Sequence, residues 1–79
     1  MLKKINNYIN DNNFKLSLYK NKLNIVNYKK LLSLEENYIS ILLEKKKLII
    51  KGSNLFLIKI LDNELLIKGN IKNIEVIDE

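Results

Sequence analysis

The stretch Lys47–Val76, KLIIKGSNLFLIKILDNELLIKGNIKNIEV, decides the fold. Its short apolar runs are separated by Gly52-Ser53-Asn54, Asp62-Asn63 and Gly69-Asn70, residue types that mark turns between β-strands. Side chains alternate within the runs: Leu48 and Ile50 share one face and Lys47, Ile49 and Lys51 the other, while Leu55, Leu57 and Lys59 oppose Phe56, Ile58 and Ile60. One face must be buried. Both glycines of the chain lie here, each ending a run of the form Leu-x-Ile-Lys-Gly, and glycine meets a turn's demand for positive φ at least cost. Structural turns are therefore predicted at Gly52 and Gly69, in a stretch that builds a scaffold and performs no chemistry.

Toward the N-terminus the period stays at two. Phe14, Leu16 and Leu18 alternate with Lys15, Ser17 and Tyr19, Lys20-Asn21 interrupts, and Leu23 and Ile25 resume, as in a hairpin. A turn follows over Val26-Asn27-Tyr28-Lys29. Leu31, Leu32 and Leu34 then form a run that ends at Glu35-Glu36-Asn37, and Ile39, Ile41 and Leu43 oppose Tyr38, Ser40 and Leu42 before the turn at Glu44-Lys45-Lys46. At the N-terminus the spacing of Leu2, Ile5 and Ile9 is helical, and the Asn/Asp-rich residues 10–13 would stop a helix. Residues 1–13 are thus expected to be an arm or short helix, and residues 14–79 a single all-β domain.

A weak repeat at a spacing of 17 residues begins at Lys30-Leu31-Leu32, Lys47-Leu48-Ile49 and Glu64-Leu65-Leu66. It fits successive hairpins of an antiparallel meander, or the rungs of a parallel β-solenoid. The meander, folded into a sandwich-like domain, is preferred because the runs are short and sequential strands usually pair.

The 79 residues suffice for one domain with a modest core. Absence of Cys removes thiolate chemistry and disulfides, and absence of His removes the commonest general base and metal ligand. No apolar run approaches the roughly 20 residues that span a bilayer, and no secretion signal follows Met1-Leu2-Lys3-Lys4, so a cytoplasmic protein is expected. The net charge of +5 is uneven: residues 1–34 hold seven Lys against Asp11 alone, and residues 35–79 seven Lys against eight acids. Every basic residue is Lys, so the Arg fork that grips phosphates and guanine edges is missing, which disfavours nucleic acid as a partner. The acidic pairs, Glu35-Glu36 and Asp62/Glu64, fall in predicted turns as solvated carboxylates, and neither glycine opens a phosphate-binding helix. The inventory therefore points away from an enzyme, with no catalytic residue, metal or cofactor.

Across residues 21–76 the chain carries Leu23-Asn24-Ile25-Val26-Asn27, Tyr28-Lys29-Lys30-Leu31-Leu32, Leu34-Glu35-Glu36, Ile39-Ser40-Ile41, Leu48-Ile49-Ile50-Lys51-Gly52, Leu55-Phe56-Leu57-Ile58, and Leu65-Leu66-Ile67-Lys68-Gly69-Asn70-Ile71-Lys72-Asn73-Ile74. In this unbroken order the segment resembles the YabP/YqfC family of sporulation proteins, and is most similar to its YqfC branch; Val26 stands where that family usually has Glu. The resemblance implies a small all-β, non-enzymatic protein of the mother cell of an endospore former. It further implies a polytopic membrane protein as companion and a place at the cytoplasmic face of the membrane around the forespore.

Lys45, Lys46 and Lys47 form the candidate interaction surface, read first as a charged hairpin tip and alternatively as a contact for anionic lipid or an acidic partner. Tyr8, Tyr19, Tyr28 and Tyr38 would stack on bases only if they shared a sheet face with Lys, and are read as packing at sheet rims. Apolar groups on both faces of several runs, together with open strand edges, predict a homo-oligomer or β-augmentation onto a protein partner. The competing class is a basic β-module that binds anionic lipid surfaces or nucleic acid.

Overall fold

A computed structural model describes residues 8–10 and 14–78. Alternation and turn chemistry produce seven strands: β1 (Tyr8–Asn10), β2 (Lys15–Tyr19), β3 (Lys22–Val26), β4 (Lys30–Glu35), β5 (Tyr38–Leu43), β6 (Lys46–Ile60) and β7 (Glu64–Asp78). They form one antiparallel sheet in the order β1-β2-β3-β7-β6-β5-β4. The all-β antiparallel expectation holds, and a parallel solenoid is not what these strands build. Two local meanders, β1 to β3 and β4 to β7, are joined by the pairing of β3 with β7.

The expected turns divide into two groups. Lys20-Asn21, Asn27, Glu36-Asn37, Glu44-Lys45 and Asp62-Asn63 do leave the strands, with Lys20, Asn27 and Lys45 at φ of 57°, 69° and 62°. Gly52 and Gly69 do not: they lie inside β6 and β7, and the reading of both as turns is corrected. Consequently one strand and one turn, where two of each were expected, fill the interval from Lys47 to Glu64, so the 17-residue repeat does not mark hairpins. At the N-terminus Tyr8–Asn10 is a strand, registered Tyr8 to Ser17 and Asn10 to Lys15, in place of the end of the expected helix. The remainder of that expected helix lies outside the described residues.

The two glycines have another task. A straight strand of 15 residues would run about 50 Å, yet the longest dimension of the protein is 29 Å, so β6 and β7 must bend. Both bend together. Register slips fall between Lys51 and Gly52 and between Ser53 and Phe56, with Asn54 at φ 55°. At Gly69, φ is 143°, and a Cβ there would stand 2.5 Å from the Asn54 carbonyl oxygen and 2.8 Å from Leu55 Cα. A Cβ on Gly52 would collide with the Asn70 carbonyl oxygen. Close backbone approach, and at Gly69 also a left-handed φ, therefore requires glycine at these bends.

Bending folds the sheet over itself. The inward faces of β2, β3 and the first half of β7 supply Leu16, Leu23, Ile25, Leu65 and Ile67 to one core, and β5 and the first half of β6 supply Ile39, Ile41, Leu43, Leu48 and Ile50. Phe14, Leu55 and Ile74 complete it. The result is sandwich-like, but its layers are halves of one continuous sheet. Asn27 spans the corner by donating its N–H to the Asn63 carbonyl (2.6 Å), and the Tyr28 hydroxyl donates to the Leu61 carbonyl (2.7 Å).

Candidate functional site

Lys45, Lys46 and Lys47 are consecutive, but the strand pleat separates them. Lys45 occupies the β5–β6 turn; Lys46 lies on the side of Leu48 and Ile50, and Lys47 on the side of Ile49. Lys46 Nζ is held 2.7 Å from Asp78 Oδ1, a hydrogen-bonded ion pair that keeps the Asp78 carboxyl below its usual 3.8. Beside the tip, Lys29 Nζ pairs with Glu44 Oε1 at 3.1 Å. The three lysines thus do not form one cationic surface.

A second group of residues does converge. On β3, Leu23 and Ile25 point to the core, so Lys22 and Asn24 point out; on β7, Leu65 and Ile67 point in, so Leu66 and Lys68 point out. Pairing aligns Tyr19 with Lys22, Lys22 with Lys68, and Lys68 with Phe56. These residues form one row across β2, β3, β7 and β6. Tyr19 is 69% exposed and Phe56 51%, so an aromatic ring stands in solvent at each end of two adjacent ammonium groups. One row further along, Asn24, Leu66 and Lys59 align, because a slip between Leu57 and Lys59 turns Lys59 to this face. Ile58, the slipped residue, is also exposed.

At the Tyr19 end of the first row, Tyr19, Lys20, Asn21, Lys22 and Lys68 line an open hollow of about 370 Å³. The Gly69 N–H donates to the Asn21 carbonyl (3.1 Å), which fixes the β2–β3 turn against β7. Lys20 Nζ stands 5.4 Å from the centre of the Tyr19 ring, a cation–π distance. Among the described residues no carboxylate lines the hollow; on the same face Glu64 Oε2 accepts a hydrogen bond from Asn24 Nδ2 at 2.7 Å.

The other candidates remain apart. Tyr28 and Tyr38 are half-buried, and the side chain of Tyr8 lies outside the described residues. Among the described residues no three acidic side chains gather as a metal site would require, and no helix is long and apolar enough to cross a membrane. Residue-by-residue reading missed the row because Lys22 and Lys68 are remote in sequence. The available signal was the outward parity of Lys22 and Lys68, which needed the β3–β7 register to become a site.

One edge of the sheet is also chemically open. β4 pairs with β5 alone among the described residues, and Leu32 and Leu34 beside its free edge are 42% and 48% exposed. Ser33 and Ser40, whose hydroxyls lie 2.5 Å apart, secure β4 from the β5 side.

In comparisons with family models, curated proteins and solved structures, nothing matches this chain.

Proposed function

We propose that this chain is a non-catalytic adaptor of endospore formation, which holds a polytopic membrane protein by adding a strand of that partner to β4. The observation that carries the docking mode is the β4 edge, unpaired among the described residues, with Leu32 and Leu34 exposed beside it. Unpaired N–H and C=O groups on an edge supply backbone hydrogen bonds to an incoming strand, and exposed leucines supply apolar pockets or knobs. The sporulation setting is supported by the ordered resemblance over residues 21–76 to the YabP/YqfC family. The mother cell and the cytoplasmic side of the membrane around the forespore are the location that this resemblance suggests.

Detergent-solubilised membranes of sporulating cells, passed over the tagged chain, test the reading. Wild type should retain a multi-span membrane protein, and Leu32→Lys/Leu34→Lys should lose it while its far-UV circular dichroism stays unchanged. Equal retention by both chains, or retention of no membrane protein by either, refutes the proposal. A concentration-dependent mass in light scattering that the same double substitution abolishes would assign the edge to a second copy instead.

A further inference from the structure

We propose that the outer face of β2, β3, β7 and the bent end of β6 binds single-stranded nucleic acid, with Lys20, Lys22 and Lys68 on phosphates and Tyr19 and Phe56 under bases. Lys22 and Lys68 are directly opposite each other. Like charges directly opposite each other disfavour the sheet, and no carboxylate among the described residues pairs with Lys20, Lys22 or Lys68 to offset this. A bound anion would. The same residues line a concave hollow, whose shape suits an inserted phosphate with its attached ring better than the flat surface of a bilayer.

Charge alone would fit any polyanion; the aromatic rings narrow the choice. Tyr19 and Phe56 lie three strands apart in one row, about 14 Å at the usual strand spacing, and flank the lysine pair from either side. Exposed rings beside cations on a sheet face suit a single strand, because every base has a π-face on which to stack while the backbone follows the charge. Lys15 and Lys59 add positive charge on the same face. With lysine as the sole cation there is no bidentate fork to read base edges, so the site should tolerate any sequence. The absence of Arg, which disfavours nucleic acid in a sequence-specific sense, is thus compatible with this mode.

Fluorescence anisotropy of labelled oligothymidylate of about twelve nucleotides, titrated with the full chain between about 50 and about 200 mM salt, tests the site. Three neutralised phosphates give a slope of log K against log salt of about −2. Lys22→Gln/Lys68→Gln should weaken binding at least tenfold, and Tyr19→Leu and Phe56→Leu about fivefold or more each; Lys45→Gln/Lys47→Gln should change it little. Mixed-sequence oligonucleotides should bind within a few-fold of oligothymidylate. The proposal fails if oligothymidylate is not bound at the lowest salt, or if the lysine substitutions leave affinity unchanged in chains with wild-type circular dichroism. It fails equally if heparin, which has no bases, competes as well as the oligonucleotide and the aromatic substitutions have no effect. Preferential retention on phosphatidylglycerol vesicles, sensitive to the same lysines, would also overturn it in favour of a membrane surface.

Discussion

At Gly69 the backbone and its neighbours leave no room for a side chain. Gly69→Ala must accommodate a Cβ 2.5 Å from the Asn54 carbonyl oxygen at φ 143°, which an L-residue rarely adopts. A loss of about 2 kcal/mol or more is expected, or a fall in Tm of roughly 10 °C for a domain of this size; Lys72→Ala, on an exposed strand position, is the control. An unchanged Tm would show that the bend can relax. Lys45 presents the opposite case: it holds φ 62° without being glycine, so Lys45→Gly should be neutral or raise stability by a few tenths of a kcal/mol up to about 1 kcal/mol. Asp78 gives a pH dependence. Lys46 holds its carboxyl below 3.8, so its contribution is present above that value and is lost as pH falls through the lower folded value. Asp78→Asn should therefore narrow the gap in urea midpoint between pH 7 and pH 3, and an identical acid response in both chains would exclude the pair as a contributor.

The element that holds the molecule together is the bent β6–β7 hairpin, because it belongs to both layers. Ile67, fully buried on β7, lies between Leu23 of β3 and Leu57 of β6. Ile67→Ala removes apolar surface and leaves a cavity that three strands cannot all close, for an expected cost of about 3 kcal/mol. A domain of 79 residues has total stability of roughly 4–12 kcal/mol, so a quarter or more of it would go. Ile77→Ala, at an exposed position near the end of the same strand, should cost less than about 1 kcal/mol. Urea unfolding followed by circular dichroism ranks the two, and equal costs would contradict the single shared core.

For the whole molecule, the join between meanders is the long-range event. Hairpin pairing can form locally within each meander, whereas Lys22 must find Lys68 and Val26 must find Glu64 across the intervening strands. Loop closure is unfavourable until those contacts form, so the β3–β7 join is expected in the folding barrier. Ile25→Val should then slow folding more than it speeds unfolding in stopped-flow chevrons. The reverse partition would place the join after the barrier.

Local rules of pleat and turn are strong in this chain, and what they determine is legible without coordinates. Leu48 and Ile50, Ile39 and Ile41, Leu23 and Ile25 face inward as their alternation requires, and Lys20-Asn21, Glu44-Lys45 and Asp62-Asn63 end strands as their residue types require. Each of those outcomes depends on neighbours within a few residues. Tertiary structure alone decided that Gly52 and Gly69 bend strands instead of ending them, since the cue is the backbone of a partner strand. It likewise set Lys22 against Lys68 between exposed Tyr19 and Phe56, and drew Lys46 away from Lys47 into an ion pair with Asp78. The physical reason is range: side-chain alternation is a property of one strand, whereas the register between distant strands is set by how the entire Leu and Ile core closes.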